Sequence, residues 1–242
     1  MTDIQLLLDF LHSVAPLKTE HKLIRFGPDS DGGYLVPDDL AGVDTCFSPG
    51  VSEIAGFEEE LTQREIKCFL ADYSVDRPPV LNSLFDFEKK FIGAMNDDIY
   101  MTLDSWVKIK ASKKNNMILQ MDIESSEYPV LLNASEDVLK RFRIMIIEFH
   151  ILDQLLNQQY FHIIRAVFSK ILKHFDIVHI HPNNCCKEID FGDIIIPPVM
   201  EFTFLRKDRI KSRERLTDFP NFLDFPNLPN KKDIVLPKCW YL

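Results

Sequence analysis

The chain reads as an α/β fold: a mostly parallel seven-stranded sheet with an antiparallel edge and helices on both faces. Three observations predict it. Short apolar runs alternate with helix-like stretches over residues 43–180, the mark of strand–helix–strand crossovers. Two of these runs end in an acid, Asp72 and Asp122, and ligands of open parallel sheets sit at that carboxyl edge. Two late runs, 175–180 and 200–205, have no helix between them and pair antiparallel through the Pro197-Pro198 region.

In order along the chain, residues 3–14 place Ile4, Leu7, Leu8, Phe10 and Leu11 on one side of a helix. Runs 22–26 and 34–36 close a small hairpin around the glycine-rich turn 27–33. The first buried strand is 43–47, followed by a helix over 52–63 with Glu58, Glu59 and Glu60 outward. A second strand at 66–70 leads to Asp72, and a loop with Asp76-Arg77-Pro78-Pro79 leads to a short strand at 90–93. A helix at 103–110, the strand 118–121, one or two helical turns within 127–139 and the strand 143–149 follow. The longest amphipathic helix is expected over 154–173. From Asp218 onward Pro220, Pro226, Pro229 and Pro237 mark an irregular tail. Its Phe219, Phe222, Phe225, Trp240 and Tyr241 imply packing on the body. Three parts are expected: an N-terminal helix-and-hairpin extension (1–40), a main domain (41–206) and a Pro-rich packed tail (207–242).

Composition narrows the function classes. Of 242 residues, 46% are hydrophobic, enough for a sizeable core. No apolar run approaches the roughly 20 residues of a membrane span, and the N-terminus lacks the pattern of an export signal, so a cytoplasmic protein is expected. A net charge of −9 argues against a general nucleic-acid binder. The basic cluster Arg206, Lys207, Arg209, Lys211, Arg213 and Arg215 is either a solvated connection or a site for an anionic substrate. Five scattered cysteines with no C-x-x-C pair read as reduced thiols, without structural zinc.

The first strand–turn–helix reads Cys46-Phe47-Ser48-Pro49-Gly50-Val51-Ser52-Glu53, where Gly50 allows a ligand to approach the backbone closely. Asp72, at the end of the next strand, is placed to accept hydrogen bonds from two ribose hydroxyls. The plainer alternative is an ordinary turn with Asp72 as a cap. Asp122 and Glu148 end strands that should be neighbours, and two such carboxylates can hold a divalent cation or share a proton. His150 lies two residues beyond Glu148 and faces the same way. His179 and His181 share a face, and His181 with Asn183 and Asn184 suits a polyhydroxylated substrate or, equally, a self-capping turn.

The ordered set Asp31-Gly32-Gly33-Tyr34, Phe47-Ser48-Pro49-Gly50-Val51, Phe57-Glu58, Thr102-Leu103-Asp104, Gln120-Met121-Asp122-Ile123-Glu124 with Glu127, Ile147-Glu148-Phe149-His150 and His181-Pro182-Asn183-Asn184 resembles the FkbM family of S-adenosylmethionine-dependent O-methyltransferases. The likeness runs from about residue 23 to residue 206. It implies a Rossmann-like methyltransferase fold, with the main domain as the methyltransferase domain and S-adenosylmethionine over the first two strand ends. The implied cofactor residues are Asp31, Gly33, Ser48, Pro49, Gly50, Val51, Asp72 and Asp122. The implied acceptor is a hydroxyl of a sugar, nucleotide sugar or glycan, approached by Glu148, His150, His181 and Asn183. Where the family pattern reads Asp-x-Glu-Gly-x-Glu, this chain has Ser125 in place of the glycine.

The reaction expected is direct displacement at the sulfonium methyl by a substrate hydroxyl. His150 or His181 is the base, or Asp122 acts through a Mg²⁺ held with Glu148. A homo-oligomer is compatible with the sequence. Two competing readings stay open: an NAD-dependent Rossmann oxidoreductase, and a catalytically inactive binding module.

Overall fold

The computed structural model describes residues 1–111, 113 and 115–242. Seven strands form the central sheet: β1 (Thr45–Pro49), β2 (Lys67–Ala71), β3 (Phe85–Glu88), β4 (Met117–Met121), β5 (Phe142–Phe149), β6 (Phe175–Pro182) and β7 (Met200–Arg206). Their spatial order is β6-β7-β5-β4-β1-β2-β3. The β3-β2-β1-β4-β5 portion is parallel, and β7 runs antiparallel to both β5 and β6. The antiparallel strand thus lies second from the edge. The arrangement is a Rossmann-like methyltransferase fold.

Apart from the edge strand β3, the strands are buried on both faces, which is why their sequences are largely apolar. One face carries Phe47, Phe69, Leu119, Met145, Ile147 and Phe202. It packs on α1 (Ile4–Ser13), α3 (Leu103–Ala111), α4 (Glu127–Asn133) and α6 (Gln158–Ile171). The alternate residues Cys46, Cys68, Ile118, Ile144 and Ile146 face α2 (Gly56–Thr62) and the hairpin formed by Leu23–Phe26 and Tyr34–Pro37. A further short helix, α5 (Glu136–Leu139), is capped by Ser135. The tail joins the first core: Trp240 is fully buried there beside Leu236, and its indole N–H donates to the Ile195 carbonyl. No helix among the described residues is long and apolar enough to cross a membrane.

Four expectations need correction. The edge strand β3 lies at 85–88. The expected strand at 90–93 instead forms, as Phe91–Gly93, a separate two-stranded ladder with Tyr100–Thr102. The helix expected over 52–63 begins only at Gly56, because Ser52 takes a left-handed φ of 43° and its N–H is drawn to Asp72. Glu58 points inward, 3% exposed, within the stripe of Phe57 and Leu61. The helix expected over 154–173 is a 3₁₀ turn (Leu152–Leu156) followed by α6. In the basic cluster, Arg206 pairs with Asp208, Arg209 with Asp39, and Arg213 with Asp176. All five cysteines are free thiols.

Candidate active site

At the carboxyl ends of β1, β2 and β4 lies a cavity of about 620 Å³, within the range of small-molecule sites. Its walls include Tyr34, the 50–54 loop, Asp72, Phe91, Tyr100, Gln120 and Asp122. Of the expected cofactor residues, Asp31, Gly50, Val51, Asp72 and Asp122 line it. Ser48 and Pro49 belong to strand β1 beneath it, and Gly33 lies off the cavity. A Cβ on Gly33 would meet the Pro28 carbonyl and the Arg25 guanidinium. That arginine donates to the Pro28 and Ser30 carbonyls and so holds the 27–33 turn.

Gly50 has φ +91°, and a Cβ there would fall 1.7 Å from the Asp122 carbonyl oxygen. The glycine therefore lets the β1 loop close on the β4 loop, a reason distinct from ligand approach. Gly50→Ala is expected to push these loops apart and to destabilise by at least about 1–3 kcal/mol through strained backbone alone. Urea unfolding of the variant measures this.

Asp72 is 4% exposed and already engaged. Its Oδ2 accepts from the Ser52 N–H at 2.9 Å, and its Oδ1 accepts from the Ser74 N–H and hydroxyl at 2.7 and 2.6 Å. Three of its roughly four acceptor positions are filled. The capping role weighed in the sequence is thus occupied, with room for one further donor.

The acids converge on His150. Its Nδ1 lies 3.1 Å from Glu127 Oε1. Its Nε2 lies 3.8 Å from Asp122, 3.5 Å from Glu124 and 3.4 Å from Glu148. Glu127 is fully buried and also accepts the N–H groups of Ile123 and Ser125, tying the imidazole to the turn after β4. In that turn Glu124 and Ser125 adopt φ 53° and 77°, so Ser125 occupies a backbone conformation that favours the glycine of the family pattern. Burial, with Glu124, Glu127 and Asp31 nearby, outweighs His150 and pushes Asp122 up to about 7. Burial raises Glu148 too, reinforced by Asp122 and Glu201. For His150, burial alone would lower the pKa, but the Glu127 bond and the surrounding carboxylates leave it raised.

Two expected substrate residues face elsewhere. His181 is 4% exposed, between Glu201 (3.7 Å) and Asp233 of the tail (3.6 Å). Asn183 donates to both oxygens of Glu148 at 3.3 Å. Neither lines the cavity, nor do His150 and Glu148. For His181 the neighbour on that side of β6 is the tail, through Asp233.

Among the described residues, one group could hold a metal ion: Asp122, Glu127 and His150, with ligand atoms within 4.8 Å of one another. Glu148, expected as a ligand with Asp122, accepts from Asn183 and falls outside this group. A donor set containing an imidazole suits a borderline transition metal, whereas Mg²⁺ prefers oxygens. The residues present do not fit Mg²⁺.

Reading the sequence missed Glu58. Its partner Ser48 is ten positions earlier and donates to Glu58 Oε1, while lying 2.7 Å from Gln120 Oε1. The available signal was Phe57 and Leu61 four apart, which places position 58 at the edge of the buried stripe. Burial pushes Glu58 up to about 7 from 4.5. The folded state therefore holds a proton between those values that the unfolded chain releases, so stability falls as pH rises from 4.5 to 7. Glu58→Gln is expected to remove about 3 kcal/mol of that fall. Chemical denaturation of both proteins at pH 5 and pH 8 checks this, and equal slopes would contradict it.

No family model matches the chain, and no curated protein matches it. Solved structures with a similar chain path include a Streptococcus thermophilus protein described provisionally as a hemolysin (TM-score 0.42, 11% identity, 82% of this chain and 75% of that one). Others are the N-methyltransferase NodS from Bradyrhizobium japonicum (0.37, 8%, 84% and 92%) and the Methanococcus jannaschii fibrillarin pre-rRNA processing protein (0.37, 8%, 78% and 83%). At this similarity they assign neither ligand nor substrate.

Proposed function

We propose that the protein is an S-adenosylmethionine-dependent O-methyltransferase acting on a hydroxyl of a sugar, nucleotide sugar or glycan. The observation that carries this reading is Asp122, a carboxylate at the tip of β4 in a 620 Å³ cavity beside the Gly50 turn, with its pKa pushed up to about 7. The cavity fits the cofactor chemically. It offers exposed backbone at the 50–54 loop, one free acceptor position on Asp72 and the rings of Phe91 and Tyr100 for a flat base. When bound, S-adenosylmethionine supplies an electrophilic methyl group on a sulfonium.

A sugar hydroxyl is a poor nucleophile at neutral pH, so its proton must leave as the new O–C bond forms. Asp122 accepts that proton, and a base with pKa near the working pH is typically worth about 10²–10⁴-fold. His150 is a positioning residue: Glu127 fixes its ring, and its Nε2 sets the charge that Asp122 experiences from 3.8 Å. The mouth carries Asp31, Glu53 and Glu124. These carboxylates accept hydrogen bonds from a polyhydroxylated acceptor and repel a phosphodiester chain, which favours sugars over nucleic acid. No step is routed through Mg²⁺.

The test combines thermal shift with transfer of labelled methyl from S-adenosylmethionine to monosaccharides, nucleotide sugars, glycans and RNA. The expected result is a shift with S-adenosylhomocysteine, none with NADH, and label on a hydroxyl acceptor. A shift with NADH alone favours the oxidoreductase. Binding of S-adenosylhomocysteine without transfer to any acceptor favours an inactive module.

A further inference from the structure

Glu58 is a buried acid in the cavity wall. It is 3% exposed, lines the cavity from α2, and forms no ion pair among the described residues. Once Glu58 is ionised, its hydrogen-bond network is also short of a donor. The single Ser48 hydroxyl proton faces two acceptors, Glu58 Oε1 and Gln120 Oε1, while Gln120 Nε2 is already turned to the Tyr34 hydroxyl at 3.2 Å. A buried carboxylate left this way is costly unless a charged donor arrives to meet it.

The ligand of the proposed function carries such a donor. S-adenosylmethionine has a nucleoside at one end and an aminoacyl group, with a primary ammonium, at the other. In the sheet order Asp72 ends β2, whereas Ser48 and Gln120, which surround Glu58, lie on β1 and β4. Of the cavity's carboxylates, Asp72 and Glu58 thus flank the β1 turn on opposite sides, and Asp72 is already held by the Ser52 and Ser74 N–H groups.

Resting on that reading of function, we propose that Glu58 is the anchor for the ligand's primary ammonium, accepting its N–H groups and completing the Ser48–Gln120–Tyr34 network. Asp72 then serves the nucleoside end. The raised pKa of Glu58, about 7 through burial, agrees with a site completed by an incoming cation.

Calorimetric titration of wild type and Glu58→Gln with S-adenosylhomocysteine and with 5′-methylthioadenosine tests this, because the second ligand keeps the nucleoside thioether and lacks the amino acid. The variant should weaken S-adenosylhomocysteine by about 10- to 100-fold, the value of a hydrogen bond to a charged group, and leave methylthioadenosine within a few-fold. Equal weakening of both ligands, or none of either, overturns the proposal. A variant that binds neither while wild type binds both assigns Glu58 to holding the pocket and overturns it as well. If wild type itself binds neither ligand, the functional reading fails first and takes the anchor with it.

Discussion

Asp122→Asn is expected to lower kcat by about 10²–10⁴-fold, the typical loss of a positioned base. Affinity for S-adenosylhomocysteine should change only a few-fold. Asparagine keeps the size of the side chain, so the Gly50–Asp122 loop contact survives and the loss reports chemistry. The pH dependence follows from the same group. With a folded pKa pushed up to about 7, Asp122 is competent as a base above that pH and silenced below it. The rate for wild type should therefore rise through pH 7, and this limb should vanish in the variant. His150→Gln is the companion measurement: it should move the limb while retaining part of the rate, because His150 acts on Asp122 and does not touch the acceptor. An Asp122→Asn enzyme with unchanged kcat would remove the base from this account.

Asp224→Asn is expected to cost about 3–5 kcal/mol, the price of breaking a buried ion pair on one side only. His179 and Asp224 lie 2.9 Å apart with side chains 2% exposed. For a chain of this size that loss lowers Tm by roughly 6–20 °C. Burial would raise Asp224, but His179 and His181 overcome this and hold it below the usual carboxylate range. The double replacement His179→Leu with Asp224→Leu should recover most of the loss, since a buried ion pair is often no better than packed apolar groups. The neighbouring pair adds a pH signature. Burial would lower His181, yet Asp233 and Glu201 lift it to about 10. Its contribution is complete below its ordinary 6.5 and is lost as pH rises through 10. Melting curves from pH 6 to pH 10 should show that decline, and a flat profile would contradict the contribution assigned to His181.

The strands were legible where both faces are buried. The runs at 43–47, 66–70, 118–121 and 143–149 needed no partner information, because a strand inside a parallel sheet is apolar throughout. Strand β3 was not, since Phe85–Glu88 alternates with acids at the sheet edge. Asp86 pairs with Lys67 and Lys110, and Glu88 also pairs with Lys110, contacts that no local pattern reports. The meeting of Asp122 and Glu148 was legible from adjacent strand tips, and both do approach the same imidazole nitrogen. The direction of His181 was not, because what it faces comes from Asp233, on a proline-rich tail whose path has no periodicity. Glu58 was misread for a related reason. Three glutamates in a row look solvated, and the spacing of Phe57 and Leu61 is the one local signal for which of them turns inward.

A co-crystal with S-adenosylhomocysteine tests the central claim most directly. The account predicts density in the cavity at the ends of β1, β2 and β4, with the nucleoside end at Asp72 and the sulfur directed toward Asp122. A ligand bound elsewhere on the chain, or a sulfur turned away from Asp122, would contradict it.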